Sequence, residues 1–402
     1  MKTILFVINT MGIGGGEKAI LELFNNIDLD KYEVFLYVLT GQGELIGQIP
    51  EKVKILNNKY YAVSVLDNKG KIRLLKTVLR AMVSRGMFFK RVKYIVKNLL
   101  DMIKRREIRM DKLLWKILAD GAQRMEQEFD LAVAYLEGGA TYYVDSYVKA
   151  KKKAAFIHTD YRMAGYNRKL DEECYLHFDR VYTISETAKK VFLSVYPECK
   201  EYTEIFYDLI DAEKIMMRTK EEGGFSDTYD GFRILTVGRL VPLKALDVAI
   251  NTMKILKASS KKFRWYVLGE GEMRKRLQKQ IHMLGLEDDF ILLGTVENPF
   301  PYYDQCDIYV HTAYFEGKGN IAIEEAQILG CAIVASEHES IWEQVENGVD
   351  GMVCRLEPAA LAESILDYVD HPEKMIAYGN AASERKHADR SKEMEKLMKL
   401  LY

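Results

Sequence analysis

The segment VHTAYFEGKGNIAIEEAQILGCAIVAS, from Val310 to Ser336, decides the expected fold. It begins as the end of an apolar strand, passes through a polar loop with glycines, and continues as a helix and a second apolar strand. A loop followed by the free amides of a helix N-terminus suits an anionic ligand. Its acids, Glu316 in the loop and Glu324 or Glu325 on the helix, repel phosphate and suit hydroxyl groups instead. The segment therefore predicts a ligand that carries phosphates and hydroxyls, such as a nucleotide sugar.

Length and composition are those of an ordinary two-domain α/β protein. The chain has 402 residues, 48% of them hydrophobic, and a net charge of -1. Its cysteines are scattered and odd in number, so we expect buried thiols in a reducing compartment rather than a zinc site. No apolar run approaches the roughly 20 residues that span a bilayer. We expect a cytoplasmic protein, with any membrane contact peripheral, and no nucleic-acid partner.

The first half of the chain shows the pattern of a doubly wound domain. The apolar run from Thr3 to Ile8 is followed by a loop containing Gly14, Gly15 and Gly16, then by the helix KAILELFNNI and the strand VFLYVLTG. This is a βαβ unit with its loop at the carboxyl edge of the sheet. Further strands are predicted at LAVAYL, AAFIH and RVYTIS. We place this domain at residues 1–208.

The second half repeats the pattern after the polar stretch TKEEGGFSDTYDG. The strands FRILTVGRL, RWYVLGEGE, FILLGTV, DIYVHTA and AIVAS alternate with helical segments. We place a second domain at residues 209–384, and expect an amphipathic helix at 385–402 to cross back to the first domain. The predicted fold class is α/β, with two Rossmann-like domains facing across a cleft.

The segment from residue 69 to residue 116 has a helical period and many basic residues. A basic amphipathic helix with exposed aromatic side chains can lie on an anionic membrane. The alternative is a set of ordinary surface helices whose apolar face packs on the domain. The sequence leaves both interpretations open.

Two cations follow the first strand of the second domain. Arg239 lies just past that strand and Lys244 lies at the start of the next helix. Fixed cations at the carboxyl edge of a sheet suit a diphosphate, especially one that gains charge as a leaving group.

A resemblance to a known family is carried by VGRLVPLKALDVAI, WYVLGEGEMRKRL, ILLGTVENPFPYYDQCDIYVHTAYFEG and EEAQILGCAIVAS, and in the first half by GIGGGEKAILEL, AVAYLEGGATYYV and AFIHTDY. These segments resemble the retaining glycosyltransferases of the GT-B fold, called glycosyl transferases group 1 or family 4. The resemblance implies metal-independent transfer of a sugar, with retention, from a nucleotide-sugar donor that we expect to be a UDP-sugar. The implied acceptor is a hydroxyl of a glycan or lipid-linked glycan in bacterial surface polysaccharide synthesis.

The resemblance also implies residue roles. Arg239 and Lys244 are similar to the pair that binds the donor diphosphate, and His158 to a histidine that faces the transferred sugar. Glu316 resembles the first acid of an E-x7-E element. The second acid is Glu324 by direct count, or Glu325 by its distance from Gly330, which we favour. The other donor-binding positions implied are Gly15, Gly16, Gly238, Gly269, Gly294, Thr295, Val296, Gly317, Lys318, Gly319, Asn320 and Ile321. The chain departs from the family at Asp208, where many relatives have asparagine.

Other patterns in the sequence suggest alternative functions. Asp28 and Asp30 form a DLD triplet, but its place in a turn makes a metal role a poor prediction. A nicotinamide-dependent oxidoreductase would need an acid at the end of the second strand. After VFLYVLTG the chain has no acid until Glu44. A catalytically silent paralogue that acts as a scaffold, and a GT-B phosphorylase or epimerase, remain as rival functions. We expect no cofactor.

Overall fold

The chain folds into two α/β units: unit 1 comprises Met1–Ile210 together with the C-terminal segment that ends at Tyr402, and unit 2 begins at Asp211. The computed structural model describes residues 1–315, 321–385 and 390–402. Each unit is built on a parallel β-sheet with helices between its strands. The predicted fold class of two Rossmann-like domains is confirmed.

Unit 1 contains a parallel sheet in the order β3-β2-β1-β4-β5-β6-β7. Its strands are β1 (Lys2–Ile8), β2 (Tyr32–Val38), β3 (Lys54–Ile55), β4 (Glu128–Ala134), β5 (Lys149–Ile157), β6 (Arg180–Thr183) and β7 (Thr203–Ile205). Its helices are α1 (Gly15–Asn26), α2 (Asn68–Val83), α3 (Phe88–Arg105), α4 (Met110–Gly121), α5 (Gly139–Tyr147), α6 (Arg168–Asp171) and α7 (Glu186–Val195). The central strand β1 is apolar throughout its buried length, as expected of a strand covered on both faces.

Unit 2 repeats this arrangement, with the strand order β10-β9-β8-β11-β12-β13. Its helices are α8 (Ala212–Arg218), α9 (Leu246–Lys257), α10 (Arg274–Met283), α11 (Phe300–Gln305), α12 (Ile321–Ile328), α13 (Pro358–Asp370) and α14 (Pro372–Ser383). Its strands are β8 (Phe232–Val237), β9 (Phe263–Leu268), β10 (Phe290–Gly294), β11 (Ile308–His311), β12 (Ala332–Ser336) and β13 (Met352–Cys354).

Both sheets reverse their winding at one place. In unit 1 the reversal lies between β1 and β4, and in unit 2 it lies between β8 and β11. In open α/β sheets, ligands bind outside the carboxyl ends of the strands at such a switch point. The loops after these four strands are therefore where a ligand is expected.

The last helix, α15 (Arg390–Met398), packs on unit 1. The hydroxyl of Tyr182 donates to the carbonyl of Lys396 at 2.7 Å, and the Lys396 ammonium donates to the carbonyl of Ile205 at 2.8 Å. The carboxylate of Glu393 accepts a hydrogen bond from the amide of Tyr207, and Leu397 is fully buried. These contacts fix α15 beside β6 and β7.

The helices α2, α3 and α4 form an insertion between β3 and β4. One side of α2 and α3 packs inward, through buried residues that include Val78, Tyr94 and Met102. The opposite side is apolar yet exposed: Leu79, Phe89 and several neighbours leave about half or more of their surface in solvent. Within the described residues, no helix has the length and apolar character needed to cross a bilayer.

Candidate donor-sugar site

The loop after β8 holds the two predicted cations at the switch point of unit 2. The amide of Gly238 donates to the carbonyl of Leu268 at 2.9 Å, so the pairing of β8 with β9 continues past the strand. Arg239 follows directly and is exposed. The side chain of Lys244 lies over Gly238, since a Cβ added there would meet the Lys244 Cε at 3.3 Å. The missing side chain thus leaves room for the lysine at the strand end.

The loop after β11 is hydrogen-bonded to the loop after β8. The hydroxyl of Thr312 donates to the carbonyl of Lys244 at 2.7 Å, and the amide of Tyr314 donates to the carbonyl of Leu243 at 3.0 Å. Ser336, at the end of β12, accepts from the amide of Ala313 at 2.9 Å. The start of the acidic loop is therefore fixed beside Lys244. The predicted residues Glu316, Gly317, Lys318, Gly319 and Asn320 lie outside the described residues.

Glycines form a row across the same edge of the sheet. The amide of Gly269 donates to the carbonyl of Gly294 at 2.7 Å, and Gly238 continues the row on β8. Gly269 has φ of 143°, and a Cβ there would collide with the carbonyl oxygen of Gly238. Thr295, which is exposed, and Val296 follow Gly294 directly. The row lines this edge of the sheet with main-chain groups rather than side chains.

The two candidates for the second acid differ in their surroundings. Glu325 is buried and accepts a hydrogen bond from the Tyr303 hydroxyl at 3.0 Å. Burial, followed by the charge of Glu325, holds the pKa of Tyr303 well above its usual range, so the hydroxyl keeps its proton and donates. Glu324 is only partly buried, one turn into α12 after Ile321. The Glu325 carboxylate thus bonds within the unit, towards α11, whereas Glu324 is the more accessible acid.

The switch point of unit 1 is organised by two residues that the sequence did not single out. Asn9, after β1, donates through Nδ2 to the carbonyl of Glu137 at 2.9 Å and accepts from the amide of Ala140 at 2.7 Å. The carboxylate of Glu137 accepts from the amide of His158 at 3.1 Å and from the Thr159 hydroxyl at 3.0 Å. The predicted His158 is therefore held at the end of β5 by the loop after β4.

The imidazole of His158 is enclosed. Its Nδ1 lies 3.9 Å from Oδ1 of Asp208, and the two side chains are 7% and 6% exposed. The rings of Tyr135 and Phe156 lie beside it. Burial raises the pKa of Asp208, and the facing His158 opposes this shift. Among the described residues, Nε2 of His158 has no hydrogen-bond partner. The departure from asparagine at Asp208 thus places a carboxyl group beside the candidate histidine.

The predicted glycine loop begins α1. A Cβ on Gly16 would approach Cδ2 of Leu136, in the loop after β4, to 2.8 Å, so a larger residue here would have to displace the end of the Leu136 side chain. A Cβ on Gly15 would meet nothing within 4 Å. Gly16 therefore lies against the Leu136 side chain, whereas Gly15 is sterically unconstrained.

The DLD triplet has an ordinary role in a turn. The Asp28 carboxylate accepts from the amides of Asp30 and Lys31, and Asp30 forms an ion pair with Lys52 at 2.6 Å. Across residues 1–315, 321–385 and 390–402, no group of three or more histidine, cysteine, aspartate or glutamate side chains could hold a metal ion.

Comparison with known proteins identifies the domain that carries this site. A model of the family Glycosyl transferases group 1 matches residues 224–385. The N-acetylgalactosamine-N,N'-diacetylbacillosaminyl-diphospho-undecaprenol 4-alpha-N-acetylgalactosaminyltransferase of Campylobacter jejuni is 34% identical over 137 residues, which cover 34% of this chain and 35% of the relative. The amylovoran biosynthesis glycosyltransferase AmsK of Erwinia amylovora is 31% identical over 149 residues, 35% of each chain. The matched stretch is thus about a third of these curated relatives.

A solved structure extends the likeness of fold to the whole chain. The Anabaena protein HepE in complex with UDP-glucose aligns with a TM-score of 0.67 at 16% identity, covering 100% of this chain and 99% of HepE. At this identity the likeness concerns the fold. Residues 224–385 thus match the group 1 glycosyltransferase family, and the chain as a whole has the GT-B fold.

Proposed function

We propose that this protein transfers a sugar from a nucleotide-sugar donor, a UDP-sugar, to a hydroxyl of a glycan or lipid-linked glycan, with retention at the anomeric carbon and without a metal ion. The observation that carries the proposal is the hydrogen-bonded pair of loops after β8 and β11 at the switch point of unit 2. These loops fix Lys244, with Arg239 close by in the chain, in the domain that matches the family.

Arg239 and Lys244 are assigned to the donor diphosphate. As the bond from the anomeric carbon to the diphosphate oxygen breaks, negative charge grows on the leaving group, and fixed cations stabilise it without reorganisation. The acceptor oxygen attacks from the same face and forms the new glycosidic bond. Its proton passes to an oxygen of the leaving diphosphate. Glu316 and His158 orient the sugar in this scheme, and neither attacks it.

Glu324 is assigned to the ribose hydroxyls. A carboxylate that receives hydroxyl donors must be accessible, and the bond from Tyr303 to Glu325 occupies the neighbouring acid. This assignment replaces our preference from the sequence for Glu325. The glycine row at Gly238, Gly269 and Gly294 would let the nucleotide approach the main chain.

The relatives support the choice of substrates. The Campylobacter enzyme is named for a substrate linked to diphospho-undecaprenol, AmsK for amylovoran biosynthesis, and HepE was crystallised with UDP-glucose. A lipid-linked acceptor would place this protein at the inner face of a cell membrane.

The insertion supports peripheral contact with an anionic membrane. We call the outward apolar residues of α2 and α3 the docking face. They are Ile72, Leu75, Leu79, Val83, Phe89, Val96, Leu100 and Ile103. Each leaves about half or more of its surface in solvent, and their spacing forms one stripe along each helix. Exposed apolar stripes flanked by lysines match a surface of acyl chains beneath anionic headgroups.

The proposal is tested by a thermal-shift screen against UDP-, GDP-, ADP- and TDP-sugars, followed by a turnover assay with the sugar that stabilises the protein. We expect selective stabilisation by one UDP-sugar, followed by release of UDP when an acceptor is added. Donor binding without turnover on any glycan acceptor would favour the scaffold. Transfer to inorganic phosphate, or change of the sugar itself, would favour the phosphorylase or the epimerase.

A further inference from the structure

A cavity of about 250 Å³ lies within the insertion of unit 1, between α3 and α4. Its walls carry five cationic side chains and two carboxylates. The cations are Lys90, Arg91, Lys93 and Lys97 of α3 with Lys116 of α4, and the acids are Asp120 and Glu172. A water molecule occupies about 30 Å³ in the liquid, so the cavity has room for a group as large as a phosphate. None of these residues belongs to the donor site in unit 2.

The two acids of this basic cavity already have partners. Glu172 pairs with Lys116 at 3.1 Å, and Asp120 accepts a hydrogen bond from the Tyr147 hydroxyl at 2.6 Å. The cations exceed the acids, so the walls carry net positive charge. An anion is the complementary ligand.

Arg91 shows that the positive charge extends into the interior. Its side chain is 1% exposed. Its Nη1 donates to carbonyls at the end of α2, among them those of Met82 and Ser84, whereas its Nε and Nη2 are buried with no hydrogen-bond acceptor among the described residues. Arg91 forms a buried ion pair with Asp120, whose Oδ2 lies 3.7 Å from Nε, a distance too long for a hydrogen bond. An anion in the cavity would supply acceptors that the protein lacks.

The capping of α2 accounts for Arg91 but not for the three lysines beside it. Lys90, Lys93 and Lys97 are spaced three and four residues apart on one side of α3, where like charges repel each other. All three are exposed, so the repulsion is modest in water. A bound anion would attract all three ammonium groups and so offset the repulsion.

The lysines of this basic cavity also border the docking face. Lys93 lies three residues before Val96, and Lys97 lies three residues before Leu100, so each lysine neighbours the apolar stripe along α3. A ligand with a phosphate joined to an acyl or prenyl chain fits both surfaces at once. Its phosphate would enter the cavity while its chain follows the stripe.

We propose that the basic cavity binds the phosphate or diphosphate group of a membrane lipid. The identity of the carrier rests on the membrane contact proposed above, whereas the affinity of the cavity for phosphate does not. The site would hold the protein on the bilayer at a defined place, separate from the donor diphosphate.

The first test is calorimetric titration with inorganic pyrophosphate. Every protein in this test carries R239A and K244A, so the proposed donor site contributes no binding. The cavity variant K90Q/K93Q/K97Q is compared with the matched variant K69Q/K71Q/K76Q, which removes three exposed lysines of α2 that do not line the cavity. Arg91 is left unchanged because it caps α2. Circular dichroism verifies that all the proteins are folded.

We expect saturable binding that weakens at least tenfold in the cavity variant and less than twofold in the matched variant. Absence of saturable binding, or an equal loss in both variants, would overturn the proposal. If the protein binds none of the nucleotide sugars in the donor screen but binds pyrophosphate through these lysines, the proposed function is refuted and the basic cavity remains a phosphate site.

The second test asks whether the phosphate is carried by a lipid. Flotation with vesicles of phosphatidylcholine containing a fifth phosphatidylglycerol is measured with and without pyrophosphate, at constant ionic strength, for the protein with its native lysines. We expect pyrophosphate to release a measurable fraction of the bound protein. Undiminished binding at saturating pyrophosphate would contradict a lipid ligand and restrict the cavity to free phosphate compounds.

Discussion

The sheets of the two units share a strand order over six strands, with β7 added in unit 1, but they differ in what they place at the switch point. Unit 2 presents Arg239 and Lys244 beside a row of glycines, in a setting suited to phosphate. Unit 1 presents the buried pair His158 and Asp208, held by hydrogen bonds to Glu137. The shared topology determines where a ligand is expected, and the side chains at the strand ends determine which chemistry each edge supports.

The units differ again in the crossover that passes through the switch point. In unit 2, the chain between β10 and β11 contains the short helix α11. In unit 1, the chain between β3 and β4 contains α2, α3 and α4, with their exposed apolar stripes and the basic cavity. The extra helices are thus confined to one unit, and they carry surfaces that folding of the sheet does not require.

Replacing Gly269 by alanine should have the largest effect, and only on unit 2. Its Cβ would collide with the main chain at Gly238, in a φ region that alanine rarely adopts. We expect a loss of about 3 to 5 kcal/mol in unfolding free energy. Gly285→Ala is the control, because its φ is also positive but its Cβ meets nothing within 4 Å. Equal urea midpoints for the two variants would show that the close approach of Gly269 to Gly238 does not contribute to the stability of unit 2.

Leu397→Ala tests the dependence of unit 1 on the C-terminal helix. Leu397 is fully buried where α15 packs on unit 1, so its truncation should cost about 2 to 5 kcal/mol. Glu395→Ala, an exposed position on the same helix, should change stability by less than about 0.5 kcal/mol. Hydrogen exchange resolves the units: protection should fall in β6 and β7 and not in β8 and β9. An even loss across both sheets would contradict this contrast.

Asp171 makes the stability of unit 1 depend on pH. Burial raises its pKa from 3.8 to about 7, although the hydroxyls of Tyr142 and Tyr196 donate to it and oppose the shift. The folded state keeps the proton that the unfolded state releases near pH 4. The contribution of Asp171 to stability is therefore fully present below pH 4 and is lost as the pH rises to about 7.

Urea unfolding of the wild type and of Asp171→Asn at several values between pH 4 and pH 7.5 measures this loss. The advantage of the wild type over the variant should shrink by about 2 to 4 kcal/mol across the range, because each pH unit is worth about 1.4 kcal/mol. The exposed Asp30→Asn serves as the control and should show a nearly constant difference. A constant difference for Asp171→Asn as well would refute the coupling.

Single changes on the docking face should have the smallest effect. Phe89 leaves 83% of its surface in solvent, so Phe89→Ser should keep the fold intact. If the ring enters the bilayer, its loss should weaken binding to anionic vesicles about tenfold, corresponding to about 1.4 kcal/mol. The exposed Ile376→Ser of unit 2 should leave vesicle binding unchanged. Equal binding of both variants would show that α2 and α3 are ordinary surface helices.

Local sequence patterns predicted much of this architecture. Apolar runs and glycine loops predicted the parallel strands, including the placement of Arg239 past β8. Asn9 and Glu137 escaped prediction because their bond depends on β1 and β4 becoming neighbours across 128 residues. The hydrogen bond to Glu325 also depends on a residue of another helix, Tyr303. Helical periodicity in α2 and α3 likewise predicted an apolar face but could not indicate that this face points outward.

The proposed function requires the switch point of unit 2 to stabilise a departing donor diphosphate. The most direct measurement is steady-state turnover with the donor that the screen selects, for Arg239→Ala, Lys244→Ala and the exposed control Lys254→Ala. We expect kcat to fall by about 10²- to 10³-fold, or about 3 to 4 kcal/mol, in the first two variants and to stay unchanged in the control. Unchanged turnover in both Arg239→Ala and Lys244→Ala would contradict it.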